Sequence, residues 1–402
     1  MSKTPESSLG APAAREKATQ EWLGSNVAVG GSPEPGIHDH FGPSDHKAIL
    51  SPTKQSVGGR QFTTAHTSSP ATHLLSNGRY SVMLTAAGSG YSHWKDLSVT
   101  RWREDATSDD WGSYVFLKDV QSGKTWSAGL QPQGSEPDAY LVEFKEDRAE
   151  FWRRDGNLAT TLTVLVSAED GAEVRRVTVT NSGTVAREID VTSYAELVLA
   201  PQATDVAQPA FSKLFIETEY VTDLGVILAT RRPRELNEPK IWAAHLAVVD
   251  GETIGEPQIE TDRATFLGRS RSLRSAAAMT DGAALSGTFG TVLDPIFALR
   301  RRVRVAAGAT ATIAFWTVVA QSRADVLSLV ERYRDADAFE RTRAIAGTEA
   351  QRQLHHLGIG QEDADLFQRL AGHMLYTTPA LRPPSDIIRD GAGPQSDRKS
   401  VV

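Results

Sequence analysis

Between about residue 70 and residue 320, apolar and polar positions alternate with a period of two, interrupted at short intervals by Gly, Asn, Asp and Ser. That period belongs to strands with one buried face. Ser81 to Thr85 leads into a Gly-rich bend, AAGSGYSHW; LSVTRWRED and DDWGSYVFLKD follow, and SGKTW reads as a hairpin turn entering a further strand. The stretch TTLTVLVSAEDGAEVRRVTVTNSGTVAREIDVTSYAELVLA predicts three strands parted by EDG and NSG turns. Two more are expected in FSKLFIETEYVTDLGVILATRR, a pair in PKIWAAHLAVVDGETI, and ATFLGR continues the series. LRRRVRVAAGATATIAFWTVVAQS closes it with a hairpin in which Val303, Val305, Ile313, Phe315 and Thr317 fit strands with one buried face. No helical pattern is legible in this stretch. The strands are too many for a seven-strand immunoglobulin-type sandwich, so the predicted fold is mainly β, a large antiparallel two-sheet sandwich.

The period changes at Ser322, an expected N-cap followed by Val326, Leu329, Val330 and Tyr333 at helical spacing. A second helix is predicted from Phe339 to Leu357. In a third, Leu366, Leu370, Met374 and Leu375 share one face and Pro379 ends it. The expected organisation is a disordered arm over 1–68, a β-sandwich over 69–321, a short α-helical region over 322–380, and a disordered or truncated tail over 381–402. The arm, rich in Gly, Pro, Ser, Thr and His, has too little apolar surface to offset its ordering entropy, with room only for a short helix around Ala13 to Leu23.

Composition narrows the function classes. Hydrophobic residues make up 40% and charged residues 23% of the 402, ordinary values for a globular protein. A net charge of −7 argues against a nucleic-acid partner, because there is no basic excess to displace phosphate counterions. The absence of cysteine excludes disulfides and thiolate metal sites. No apolar run approaches the roughly 20 residues that span a bilayer, and the first residues lack the apolar core of a secretory signal, so a cytoplasmic chain is expected. His38, His40 and His46 have no visible fourth ligand and read as solvated residues of the arm rather than a metal site. No cofactor is expected. SGKT at 122–125 lacks the earlier Gly and the following helix of a phosphate-binding loop.

The segment from Leu74 to Trp126 holds four of the eight tryptophans, among Arg and Asp residues. Aromatic faces suit the C–H face of a pyranose and charged planar groups its hydroxyls, although Trp is as readily core ballast. Arg101, Trp102, Arg103, Glu104 and Asp105 form the densest knot. On a strand, Arg101, Arg103 and Asp105 would share one face and Trp102 the other. The two arginines then stand near a sugar or a dimer contact, or in an internal Arg–carboxylate network stabilising a strand end, the reading slightly favoured.

The motifs LSNGRYSVMLTAAGSGYS, TRWRED, DDWGSYVFLKD and WSAGLQP occur in an order that resembles the amino-terminal sandwich of glycoside hydrolase family 94. Within it the likeness is greatest to the carboxy-terminal phosphorylase-like region of bacterial cyclic β-1,2-glucan synthases, and it extends from about Thr72 to Gln395. The resemblance implies a galactose mutarotase-like supersandwich followed by linker helices and a catalytic (α/α)₆ barrel, and an inverting phosphorolysis or glycosyl transfer on β-glucans. A barrel needs on the order of 200 residues; eighty follow Ser322, ending GAGPQSDRKSVV. The chain therefore reads as a fragment without catalytic residues of its own and inactive alone, whereas a full-length cyclic glucan synthase would sit in the inner membrane and phosphorylases take phosphate as co-substrate. The resemblance also implies a β-glucan or gluco-oligosaccharide partner and a homodimer in which sandwich loops approach the other subunit's site. Tyr91, Trp94, Arg101, Arg103, Asp110 and Trp111 are the substrate-proximal candidates, with Trp94 as a platform beyond the Gly-rich bend.

Two alternatives remain: a structural or dimerisation module without sugar affinity, and a mutarotase-like activity on the sandwich face. The second needs a His acid and a Glu base. Its only sandwich histidines are His73, expected before the first strand, His93, expected in a loop, and His245, expected on a strand. Exposed rings on one concave surface would favour sugar binding, and burial of all four clustered tryptophans a structural role. Leu366, Leu370 and Met374 are expected to leave an apolar patch that promotes association.

Overall fold

The computed structural model describes residues 59–376 apart from 68, 235–237 and 239, together with Ile387 and Arg389. The expectations for the arm as far as residue 58, including His38, His40 and His46, and for Pro379 and most of the tail lie outside the described residues.

Two nine-stranded antiparallel sheets form a mainly β sandwich, as the period-two pattern predicts. In spatial order the first contains β1 (Arg60–Phe62), β8 (Ala139–Phe144), β9 (Arg148–Asp155), β10 (Leu158–Val166), β11 (Ala172–Asn181), β18 (Thr310–Ala320), β15 (Trp242–Asp250), β14 (Val226–Arg231) and β13 (Ile216–Val221). The second runs β16 (Glu252–Asp262), β17 (Pro295–Val305), β12 (Arg187–Ala200), β5 (Leu97–Thr100), β4 (Gly90–Trp94), β3 (Tyr80–Thr85) and β2 (Thr72–Ser76). β6 (Tyr114–Asp119) also pairs with β12, and β7 (Thr125–Ser127) with β6. The EDG and NSG turns join β10 to β11 and β11 to β12, and SGKT is the β6–β7 turn.

β12 is the spine of the second sheet. It pairs with β17 along one edge, while its other edge holds β6 over Ile189–Tyr194 and then β5 at Leu197 and Ala200. The change of partner coincides with a bulge at which Leu199 takes a left-handed φ of 49°. Strict alternation is plainest on β9, where every second residue from Ala149 to Asp155 is buried.

The principal core lies between the sheets, where Val164, Val177, Phe297, Leu299, Ile313 and Phe315 interdigitate with Trp126, which donates from Nε1 to Thr160 Oγ1 at 3.2 Å. The sequence pattern missed four short helices in the connections: α1 (Gln202–Ala207), α2 (Pro209–Lys213), α3 (Arg263–Leu267) and α4 (Ala277–Thr280). ATFLGR is thus α3 and not a strand. A helix of four to six residues completes too few turns to display a 3.6-residue period, and here side chains such as Phe266 and Met279 fill the outer face of the second sheet.

The outer face of the first sheet is covered by α5 (Arg323–Tyr333) and the start of α6 (Ala338–Leu357). Ser322 caps α5 as predicted, its hydroxyl accepting from Asp325 N–H at 3.1 Å. Val326, Val330 and Tyr333 are buried, the last stacked on Trp316 with ring centroids 4.3 Å apart. The third helix, α7 (Gln361–Leu375), rests on the sheet edge instead. Gln368 accepts from Leu74 N–H at 2.8 Å and donates to Leu74 C=O at 2.9 Å, replacing a missing neighbour of β2. Gly372 permits this closeness, since a Cβ there would sit 2.5 Å from Thr72 Oγ1. No α7 residue is buried, and Leu366, Phe367, Leu370 and Met374 are exposed, the last at 81%.

One glycine in the expected bend carries the second sheet's geometry. Gly90 has φ +144°, and a Cβ there would lie 1.8 Å from Met83 O on the paired strand. Gly90→Ala is expected to cost at least about 2 kcal/mol, read as a lower urea midpoint. An unchanged midpoint would show that β3 and β4 can separate freely.

Candidate functional site

Three of the six predicted site residues converge. Tyr91, Arg101 and Arg103 line a narrow cleft together with His93, Trp102, Gln202 and Asp205. The cleft lies where β4 and β5 end and α1 begins.

The charges in it are committed to one another. Arg101, on the segment following β5, is buried and binds Asp205 twice, through Nη2 at 2.8 Å and Nε at 3.1 Å, while its Nη1 donates to Glu196 at 2.9 Å. Arg103 Nη2 reaches the same Asp205 at 2.9 Å. Glu196 also accepts from Arg263 Nε at 2.7 Å and Tyr194 OH at 3.0 Å. Asp294 bridges Lys213 at 2.6 Å and Arg263 at 3.5 Å. Burial pushes Glu196 upward, but the guanidiniums of Arg263 and Arg101 outweigh it, so its pKa falls below the usual carboxylate value. Asp205 follows the same logic: burial opposes ionisation, and the bonds from Arg101 and Arg103 prevail. The internal Arg–carboxylate network anticipated for this knot is what forms.

The expected strand face over Arg101, Arg103 and Asp105 does not. β5 stops at Thr100 and residues 101–105 are irregular, so it is Asp205 that brings the two arginines together. Trp94 is no platform either; it lies on β4 and packs into the inter-sheet core, 7% exposed. Gly171 leaves room for it, since a Cβ there would be 2.8 Å from the indole Nε1. Trp102 is core, as expected, with its ring between Tyr91 and Tyr376. Asp110 is exposed and Trp111 half-buried, on the neighbouring loop and outside the cleft lining.

The neighbour of Asp110 was passed over, and its environment is more unusual. Asp109 has a left-handed φ of 47°. It accepts from Thr85 Oγ1 at 2.6 Å and Tyr376 OH at 2.9 Å. Burial raises its pKa to about 6, the bonds from Thr85, Ser89 and Tyr376 pulling the other way. No local signal separates the two aspartates, because the tyrosine that covers the first lies 267 positions away. Glu196 and Asp205, likewise unforeseen, sit 95 and 104 positions from Arg101.

The histidines occupy strands and not the connections expected for two of them. His73 lies in β2, its Nε2 2.7 Å from Lys145 O and its ring stacked on Phe144. His245 lies between the sheets, bonded to Ser193 and Thr317 and flanked by Phe297 and Phe315. Burial lowers both to about 3, so each is a neutral packing residue. His93, on β4, faces the cleft beside Ser98. Among the described residues no cluster of His, Asp or Glu is arranged to hold a metal ion, and no helix is long and apolar enough to cross a membrane.

Two nine-stranded antiparallel sheets packed face to face define a large β-sandwich domain. The chain belongs to the glycosyl hydrolase 94 supersandwich domain family, whose model matches residues 56–336. It is similar to the cyclic beta-(1,2)-glucan synthase NdvB of Rhizobium meliloti (strain 1021), 42% identical over 325 residues, covering 81% of this chain and 12% of that protein. It is also similar to the solabiose phosphorylase of Paenibacillus borealis, 26% identical over 42% of this chain and 21% of the relative. The N,N'-diacetylchitobiose phosphorylase of Vibrio furnissii matches at 26% identity over 38% of this chain and 20% of its own length. The chain thus spans between 12% and 21% of the length of these relatives.

Two outcomes follow from the site. Arg101→Met strands Asp205 and Glu196 with fewer counter-charges and should destabilise the fold by about 3 kcal/mol or more, measured by chemical unfolding; a loss below 1 kcal/mol would make the network incidental. The histidines set an acid limit. Their folded pKa values lie below the ordinary value near 6.5, so as pH falls below it the unfolded chain binds protons that the folded chain refuses. Stability should decline from there by up to about 1.4 kcal/mol per pH unit for each histidine. His245→Gln should flatten the slope between pH 7 and 5.5, and an unaltered slope would count against this origin.

Proposed function

We propose that this chain is the accessory supersandwich of a glucan-active enzyme, contributing recognition of a β-glucan and not bond cleavage. The observation that carries this reading is the ion pairing of the carboxylates in and behind the cleft. Asp205 and Glu196 are kept ionised by Arg101, Arg103 and Arg263, so neither is suited to supply the proton a departing glycosidic oxygen needs. Asp109 holds a proton more readily, but its carboxylate oxygens are engaged by Thr85 and Tyr376. What faces outward on this rim is Tyr91, Arg103, Asp110 and Trp111, part-exposed rings beside hydroxyl-binding groups on a rigid base. The similarity to a glucan synthase supports a β-1,2-linked glucan as ligand. A homodimer that completes a glucan site with these loops belongs to the same proposal.

A second reading, a scaffold without sugar affinity, draws on the burial of Trp94 and Trp126, which removes two of the four clustered rings from the cleft, and on Trp102, which is 9% exposed. The mutarotase-like alternative loses support because His73 and His245 are enclosed and neutral.

Calorimetric titration with linear β-1,2-gluco-oligosaccharides, with and without phosphate and followed for glucose 1-phosphate, separates these readings. Binding without product is expected, with Trp111→Ala and Arg103→Ala each weakening it by about tenfold, equivalent to about 1.4 kcal/mol. Absence of binding would favour the scaffold, and product would refute the assignment of recognition without cleavage.

A further inference from the structure

α7 is an unusual helix to find ordered, because none of its side chains is buried. Its attachment to the sandwich is confined to one flank. Gln368 borrows the free edge of β2, Gly372 lets the helix touch Thr72, and Tyr376, its C-cap, turns inward. Among the described residues of this end Tyr376 is the deeply buried one, 1% exposed. Its ring stands edge-on to Trp102, centroids 5.6 Å apart at 88°, and its hydroxyl donates to Asp109.

Asp109 in turn ties three separate segments. One carboxylate oxygen accepts from Thr85 at the end of β3, the other from Tyr376, and its main-chain carbonyl accepts from Ser89 Oγ at 2.5 Å. A non-glycine residue held in the left-handed region needs its surroundings to keep it there.

We propose that Asp109 and Tyr376 form a proton-sensitive latch that sets whether α7 lies docked against the second sheet or swings free of it. The groups facing the carboxylate decide the sign. They are Asp105 on its own loop, Tyr114 from β6, Tyr140 from β8 and Tyr376 from α7, none of them a cation. Docking covers Asp109 with the tyrosine ring and removes water, so the docked state holds a proton more readily than the released state, in which the carboxyl is hydrated. Docking therefore takes up a proton. The docked form is favoured below about pH 6 and loosened as pH rises through that value. None of the helix's own side chains is buried, and beside Tyr376 its anchors are the Gln368 bonds to Leu74, the Asp365–Arg60 pair and the half-buried Leu375, so one carboxyl can shift the balance.

Hydrogen exchange on the full chain tests this, expressed as protection factors so that the intrinsic pH dependence cancels. Amides of residues 361–376 should lose about tenfold protection between pH 5 and pH 8, whereas the sandwich strands should lose none over that rise, because the buried neutral His73 and His245 make them more stable at the higher pH. Asp109→Asn should keep the protection and abolish its pH dependence. Tyr376→Phe, which retains the ring, should lower protection of α7 at both pH values and leave β3, β4 and β5 unchanged. A pH-independent wild-type helix, an unaltered dependence in Asp109→Asn, or a Tyr376→Phe loss spread over the sandwich would each overturn the latch.

Discussion

A guanidinium buried where a strand has just ended is the constraint on which the rim of this molecule depends. Arg101 follows the last residue of β5, its own N–H still donating to Glu196 C=O at 3.0 Å, and its side chain is only 3% exposed. An isolated charge in that position would cost several kcal/mol, and attraction repays it only when geometry and hydrogen bonding are nearly complete. Asp205 provides a two-point contact, Glu196 a third bond, and Leu197 C=O a longer one at 3.4 Å. α1, a single short helix without a side-chain cap, is thereby held onto the end of β12.

The same network shapes what the rim can do chemically. Carboxylates that stabilise arginine stay ionised, so the rim offers charge and hydrogen bonding more than proton transfer. Lys213, Arg263 and Asp294 extend the ion-pair lattice from Glu196, while Tyr91 and Arg103 are part-exposed in the cleft and Trp111 is part-exposed on the loop beside it. Tyr91, Trp102 and Tyr376 form a continuous aromatic contact, so the floor of the cleft and the end of α7 share one packing unit.

Much of the fold was legible because its strands are long and one-sided. β10 to β12, β13 to β15 and the β17–β18 hairpin follow directly from alternation and from Gly- or Asn-containing turns, and α5 from its Ser322 cap and helical spacing. The short helices were not, since α3 and α4 have too few turns for a period and take their shape from the sheet they cover. Trp94 shows the limit for side chains. Its Gly-rich neighbourhood suggested a loop, but Gly90 pairs closely with Met83 and Leu84, which extends the strand through Trp94 and turns the indole inward.

The sequence by itself determined a mainly β sandwich, three terminal helices and membership of a sugar-enzyme family, because these reside in local periodicity, turn chemistry and ordered motifs. Only the tertiary structure decided which of the clustered aromatic and charged residues reach solvent. Arg101 meets carboxylates 95 and 104 positions away, and Asp109 rather than Asp110 is covered by a tyrosine 267 positions away. Burial and charge pairing are sums over such distant neighbours, and no window along the chain contains both partners.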